Sequence, residues 1–167
     1  MIPPSTFLAL PIMAVLTILQ TAALPQFPIL GVVPSLPFLV ALAWGLLRGV
    51  NEGVIWAFIA GFFMDLFTAA PTGGLALTYM IAVFVAAQIN EVLPANRFVI
   101  PMILAAVATI VQWLLYAIYL GLFGYNTLFT LSTSLMPVVL LQAFLILPIY
   151  WLLYLVQRAV WPKAVEI

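Results

Sequence analysis

The sequence contains no cysteine and no histidine, and among its 167 residues only four are Lys or Arg and four are Asp or Glu. Without cysteine, the chain has no disulfides, thiolate metal sites or thiol nucleophiles. Without histidine, imidazole acid–base catalysis and serine–histidine nucleophiles are excluded as well. The net charge is zero and no basic patch is present, which argues against a nucleic-acid ligand. We therefore expect no metal site and no cofactor.

Most residues of the chain are apolar. Hydrophobic residues make up 68% of the chain, and the mean hydropathy is +1.34. A soluble domain is about half apolar and about a quarter charged, so this chain could not cover its own core with polar side chains in water. In a bilayer no such cover is needed, because helices satisfy their own backbone hydrogen bonds. We interpret residues 1–167 as a single polytopic transmembrane helical bundle of the all-α class.

Proline, glycine and polar residues divide the sequence into six apolar segments that are candidates to cross a bilayer. We predict spans at about residues 6–24, 34–47, 53–68, 75–92, 98–123 and 134–156. The first segment lacks the preceding Lys or Arg of a signal peptide and is longer than a typical signal core, so we interpret it as a retained span. The longest loop is predicted at about 124–133, and Pro148 is expected to kink the last span.

The basic residues predict an orientation. All four fall on the same side of a six-span bundle: Arg48, Arg97, Arg158 and Lys163. A count of five or seven spans would split them between the two sides or leave one in lipid. Because Lys and Arg are enriched in cytoplasmic loops, the pattern predicts that both termini lie in the cytoplasm.

Asp65 is the only aspartate, and it lies about 12 residues into the predicted third span. At a rise of 1.5 Å per residue this is about 18 Å from the cytoplasmic end. A carboxylate that faces lipid there costs about 2.5–3.5 kcal/mol, so Asp65 should face the bundle interior, meet a partner or be protonated. Candidate partners are backbone N–H groups of residues 71–74, Thr68, Thr72, a glutamine or another protein. Asp65 is then a structural keystone or interaction site, or it simply caps the following turn.

Small residues lead up to Asp65. Gly53, Ala57 and Gly61 precede it at intervals of four, so the four residues share one stripe of the helix. Small side chains at this spacing let another helix approach closely. The stripe predicts that Asp65 enters a tight helix–helix contact. A contact inside the bundle is favoured over an intermolecular one, because six spans must first pack against each other.

Other polar residues have weaker interpretations. A glutamine falls within four of the predicted spans: Gln20, Gln88, Gln112 and Gln142. They could line a polar cavity or form interhelical hydrogen bonds, and the second interpretation is favoured. Arg48 and Glu52 are four residues apart across a predicted turn, and we expect an exposed pair of little energetic value and no chemistry.

Catalysis is not expected. An intramembrane aspartyl protease needs two aspartates, a rhomboid-type enzyme needs serine and histidine, and a zinc protease needs His-Glu-x-x-His. The chain offers none of these sets. Glu52 and Glu91 lie in predicted cytoplasmic loops, far in depth from Asp65, so no carboxylate pair forms.

Residues 53–79 contain a distinctive motif: a glycine, an apolar stretch with Phe, Gly-x-x-x-Asp-Leu, then Pro-x-Gly and an apolar helix with a Tyr. The residues that define it are Gly61, Asp65, Leu66, Pro71, Gly73, Leu77 and Tyr79. This pattern resembles that of the MreD family of rod shape-determining proteins. The resemblance is distinctive over roughly residues 34–88. The sequence departs from it at Gly74, where a bulkier residue is common, and after span four, where Arg97 alone supplies a basic charge.

The resemblance implies a non-enzymatic, multi-pass scaffold in the bacterial inner membrane, within the complex that elongates the cell and maintains its shape. Its implied partners are MreC first, and then RodA, a penicillin-binding transpeptidase of peptidoglycan synthesis and the actin-like MreB. The residues that would bind partners or support the motif are Gly53, Ala57, Gly61, Asp65, Pro71, Gly73 and Tyr79. The alternative is a substrate-binding membrane subunit of an energy-coupling-type transporter, which the glutamines and the predicted outer-loop residues Tyr125 and Phe129 favour.

Overall fold

The computed structural model describes residues 5–26, 28, 31–93, 99–125 and 128–160. These residues confirm the all-α class, and each predicted span overlaps one α-helix. The helices are α1 Ser5–Ala22, α2 Leu36–Arg48, α3 Val50–Asp65, α4 Gly74–Val92, α5 Val99–Leu122 and α6 Leu128–Val160. A short 3₁₀ helix, Leu24–Gln26, follows α1. Arg97 and Lys163, which contribute to the predicted orientation, lie outside the described residues.

Four segments of these helices are long and apolar enough to cross a membrane: Thr6–Gln26, Gly74–Val92, Val99–Leu122 and Leu135–Arg158. The chain is therefore a multi-pass membrane protein. The helices α2 and α3 are shorter, with 13 and 16 residues. At 1.5 Å per residue they extend about 20 Å and 24 Å, which is less than the roughly 30 Å of a hydrocarbon core.

The short helix α2 lies at the centre of the bundle. It packs against all five other α-helices, and every residue from Pro37 to Leu46 is buried. Its neighbours therefore cover it on all sides and shield it from lipid. Pro37 lies in the first turn of the helix, where its missing N–H costs nothing.

A tight hairpin joins α2 to α3. The single connecting residue, Gly49, has a φ of 95°, a conformation that side-chain-bearing residues rarely adopt. On either side of it Gly45 and Gly53 bring the two helix backbones together, because a Cβ on Gly53 would lie 3.3 Å from the Gly45 nitrogen. The two helices therefore pack against each other in antiparallel directions.

Polar contacts define two ends of the bundle. At one end, the C-terminal part of α1 meets the start of α2 through Gln20, and the last residue of α3, Asp65, meets the start of α4. We call this the Asp65 end. At the opposite end, which we call the Arg48 end, Asn90 near the end of α4 donates a hydrogen bond of 3.1 Å to the carbonyl of Leu46 in α2. The helices α1 to α4 therefore run in alternating directions.

The last helix is longer than predicted. It begins at Leu128 and contains 33 residues, with Pro137 and Pro148 inside it. The prediction of a loop over 124–133 is therefore wrong from Leu128 onward. The prediction relied on the polar residues of that stretch, but polarity excludes a segment from lipid and not from a helix. The apolar part of α6, Leu135–Arg158, agrees with the predicted span.

Candidate functional site

Asp65 is the last residue of α3, and its side chain is only 4% exposed. Its two carboxylate oxygens accept hydrogen bonds from three backbone N–H groups at the start of α4. Oδ2 accepts from Gly73 at 3.0 Å and from Ala76 at 3.1 Å. Oδ1 accepts from Leu75 at 3.1 Å. The partners are therefore backbone groups at the turn, which was one of the options that the sequence left open.

These hydrogen bonds satisfy both the buried carboxylate of Asp65 and the first N–H groups of α4. The first N–H groups of a helix have no carbonyl partner within it, and a polar N-cap side chain usually satisfies one of them. The N-cap of α4 is Gly73, which has no side chain and a left-handed φ of 100°. Asp65 supplies the missing cap from the preceding helix, and its carboxylate lies at the positive end of the α4 dipole.

The stripe of small residues lies inside the bundle, where Gly53, Ala57 and Gly61 are all buried. The closest approach is at Gly61, one turn before Asp65. A Cβ on Gly61 would lie 2.6 Å from the Ala76 nitrogen and 2.7 Å from the Leu75 carbonyl oxygen. The stripe thus packs against the same backbone that Asp65 caps, so a side chain at position 61 would force α3 and α4 to shift relative to each other.

Tyr119 of α5 closes the other side of the turn. Its hydroxyl donates to the carbonyl oxygens of Pro71 at 3.4 Å and Thr72 at 3.3 Å. A Cβ on Gly74 would collide with the Tyr119 ring. The departure from the family pattern at Gly74 therefore makes room for this aromatic side chain. Sequence reasoning missed Tyr119, and no local signal connects it with a turn 47 residues away.

Tyr79 ties α4 to the start of α2. Its hydroxyl lies 2.8 Å from the Ser35 hydroxyl, and its ring packs against Phe38 with centroids 4.9 Å apart. Both tyrosines extend the contacts of the Asp65 end to helices other than α3 and α4. The residues of the family motif in this region therefore contact neighbouring elements of the same chain.

Gln20 caps α2 in the way that Asp65 caps α4. Its side-chain amide donates to the Pro34 carbonyl at 2.8 Å, and its Oε1 accepts the Leu36 N–H at 2.9 Å. Ser35, at the N-cap of α2, makes no capping bond with its own side chain. At the Asp65 end, two helices thus receive their N-terminal cap from a side chain of the preceding helix.

The other three glutamines of the predicted spans, Gln88, Gln112 and Gln142, lie in different environments. Gln142 of α6 accepts a hydrogen bond of 2.6 Å from the Thr109 hydroxyl of α5. The prediction of hydrogen bonds between helical segments is therefore confirmed for Gln20 and Gln142. Gln112 is buried on α5, whereas Gln88 is exposed near the end of α4.

The prediction of an exposed Arg48–Glu52 pair is wrong. The two side chains are 25% and 14% exposed, with Nη2 and Oε1 3.1 Å apart. Glu52 Oε2 also accepts from the indole Nε1–H of Trp44 at 3.0 Å, and the Trp44 ring stacks on Trp56 with centroids 4.5 Å apart. The spacing of four indicated the ion pair but not the indole of Trp44 that donates to it.

The chemistry of these sites is hydrogen bonding and packing. Within the described parts of the chain, no group of three or more His, Cys, Asp or Glu residues is placed to hold a metal ion.

Comparison with protein-family models gives a match over residues 4–160, and the matching model is described as rod shape-determining protein MreD. That family is a structural one and not a known family of enzymes. The comparison with curated proteins and that with solved structures give no match.

Proposed function

Since the chain belongs to the MreD family of rod shape-determining proteins, we propose that it is a non-enzymatic scaffold subunit of the bacterial rod complex in the inner membrane. Its membrane-embedded surface would hold MreC and so position RodA and a penicillin-binding transpeptidase, with MreB on the cytoplasmic side. The observation that carries this proposal is the family match over residues 4–160.

We further propose that all six helices cross the membrane, with the Arg48 end and both termini in the cytoplasm. The alternating directions of the helices support six crossings. Short helices such as α2 can cross because their neighbours, rather than lipid, surround them. The described basic residues, Arg48 and Arg158, lie in the last turns of α2 and α6. Because Lys and Arg are enriched on the cytoplasmic side of a membrane, these positions support a cytoplasmic Arg48 end.

The outward face of α3 is the surface that we propose for MreC. Because the stripe from Gly53 to Asp65 packs inward, α3 directs Phe58, Phe62 and Leu66 outward at intervals of four. Each of the three is about half exposed, at 47%, 50% and 58%. Phe58 and Phe62 also stack with ring centroids 6.2 Å apart. Asp65 would then act as a positioning residue, because its cap fixes the angle at which α3 presents this face.

Co-purification with MreC after detergent extraction tests the proposal. We expect Phe62→Ala to reduce the MreC retained by at least about tenfold, since an aromatic anchor in an interface contributes more than ~1.4 kcal/mol. Phe144→Ala is the matched control, because Phe144 is 65% exposed but lies on α6. Failure of the unchanged protein to retain MreC would contradict the scaffold. Equal retention by the two variants would place the contact on another face.

The transporter alternative has little support from the geometry. Two of the glutamines that favoured it, Gln20 and Gln142, hold helices together through hydrogen bonds. Tyr125 is exposed, and the side chain of Phe129 lies outside the described residues. Thermal stabilisation by a vitamin or a lipid precursor would favour that alternative over the scaffold.

A further inference from the structure

A polar cleft lies at the Arg48 end, away from the Asp65 cap. Its volume is about 430 Å³, within the roughly 300–1,000 Å³ of ligand sites. The turn between α2 and α3 forms one wall with residues 48–51, and α4 forms the other with Phe84, Gln88 and Glu91. Those three α4 residues are exposed, so the cleft opens to the surroundings of the bundle.

The α4 wall changes from apolar to charged along its length. Since α4 runs toward the Arg48 end, Phe84 lies deepest, Gln88 follows one turn later, and Glu91 lies in the last turn. Seven residues at 1.5 Å each separate Phe84 from Glu91 by about 10 Å. The headgroup layer of a bilayer is roughly 5–8 Å thick on each side. With the Arg48 end at the membrane surface, as proposed above, the cleft is long enough to extend from the acyl-chain boundary through the headgroup layer.

The charges of the cleft favour one kind of headgroup. Arg48 can bind a phosphate while it holds Glu52, because its guanidinium carries five N–H donors. The first turn of α3 at Val50 and Asn51 has no side-chain cap and lines the same wall of the cleft. Opposite them stands Glu91, a carboxylate that can accept an ammonium. Arg48, Glu52 and Glu91 together carry one excess negative charge, which disfavours a headgroup that is itself anionic.

We propose that this cleft binds an aminophospholipid of the phosphatidylethanolamine class. The phosphate lies against Arg48 and the start of α3, and the primary ammonium lies against Glu91 and the side-chain oxygens of Asn51 and Gln88. The start of the acyl chains lies along Phe84. A primary ammonium has three N–H donors for these oxygens, whereas the quaternary ammonium of a choline lipid has none. The site thus selects a headgroup with a primary amine and with no net charge.

Native mass spectrometry of the full chain in detergent tests this binding. The probes are phosphatidylethanolamine, phosphatidylcholine and phosphatidylglycerol with identical acyl chains, in equal amounts. We expect the ethanolamine lipid to be retained about tenfold over the other two, because hydrogen bonds between charged groups supply that factor. Equal retention of all three lipids, or preferred retention of phosphatidylglycerol, would overturn the proposal.

Variants assign the binding to the cleft. Glu91→Gln should bring the retention of the ethanolamine lipid down to that of the choline lipid, and Gln88→Leu should weaken it by roughly threefold. Gln26→Leu is the matched control, because Gln26 is exposed at the Asp65 end and its side chain donates to the Ala22 carbonyl of its own turn, away from the cleft. If Gln26→Leu lowers retention as much as Gln88→Leu does, the lipid is not in the cleft and the proposal fails.

Two further experiments distinguish a bound lipid from other occupants of the cleft. Inorganic phosphate at millimolar concentration should leave the bound lipid in place, and its displacement by phosphate alone would overturn the assignment of a lipid. Removal of residues 161–167 should leave retention unchanged. If the ethanolamine lipid binds only after this removal, the end of the chain occupies the cleft and the proposal is wrong.

Discussion

Asp65 Oδ1 accepts the backbone N–H of Leu75 at 3.1 Å, although the two residues belong to different helices. A buried carboxylate and the start of a buried helix would each be costly in a membrane if left alone. Together they satisfy each other, and the hydrogen bonds hold α3 and α4 at a fixed separation. Gln20 and Leu36 repeat this relationship between α1 and α2 with an uncharged side chain.

Replacement of Asp65 should show how much its hydrogen bonds contribute to the free energy of unfolding. Asparagine keeps one acceptor oxygen but turns an NH₂ group toward a backbone N–H, whereas leucine keeps no acceptor. We expect Asp65→Asn to lower the free energy of unfolding by about 1–2 kcal/mol and Asp65→Leu by about 3–5 kcal/mol. Denaturant unfolding in detergent micelles, followed by circular dichroism, measures both.

The control for this pair is Thr68→Ala. The Thr68 side chain is exposed, and among the described residues it bonds to the carbonyl oxygens of Met64 and Asp65 in its own turn. Its loss should therefore change stability by less than about 0.5 kcal/mol. If Asp65→Asn and Asp65→Leu cost the same, the charge of the carboxylate matters more than the number of its hydrogen bonds.

Gly61→Ala should destabilise the protein by about 2–4 kcal/mol, because the added methyl group meets the backbone of α4, which cannot rotate away as a side chain can. Gly121 provides the matched control, since it lies in helix α5 and a Cβ there meets nothing within 4 Å. Gly121→Ala should be neutral or stabilise by about 0.5–1 kcal/mol through helix propensity. Equal effects of the two changes would contradict the close approach at Gly61.

The sequence was informative where polarity is costly. Asp65 had to find a partner, the stripe from Gly53 showed which face of the helix would be covered, and the 71–74 turn was close enough to provide donors. These inferences need only helix periodicity and the cost of a charge in lipid. They do not need the positions of the other helices.

The sequence was uninformative where all residues are apolar. The central position of α2 could not be predicted, because a helix that is apolar all round gives no sign of which face is covered or by what. The contact of Tyr119 with the turn before α4 joins positions far apart in the chain. The Trp44–Glu52 bond crosses a hairpin whose geometry depends on the conformation of Gly49.

The cap that Gln20 places on α2 should also contribute to stability. Methionine has a similar length but no strong donor or acceptor, so Gln20→Met leaves the Pro34 carbonyl and the Leu36 N–H without partners. We expect a loss of about 2–4 kcal/mol in the same unfolding measurement. Gln26→Met changes an exposed glutamine and should cost less than about 0.5 kcal/mol. A comparable cost for both would mean that the cap on α2 contributes little to stability.

The absence of cysteine makes the proposed orientation directly testable with single cysteines. Thr72 lies at the Asp65 end and Asn51 at the Arg48 end, and both are exposed. In intact spheroplasts a membrane-impermeant maleimide should label Thr72→Cys and not Asn51→Cys, because the proposed orientation puts the Arg48 end in the cytoplasm. Permeabilised membranes should label both, which shows that each thiol is reactive. Labelling of Asn51→Cys alone in intact spheroplasts would mean that the true orientation is the opposite of the proposed one. Labelling of both variants would mean that the two ends do not lie on opposite sides of the membrane.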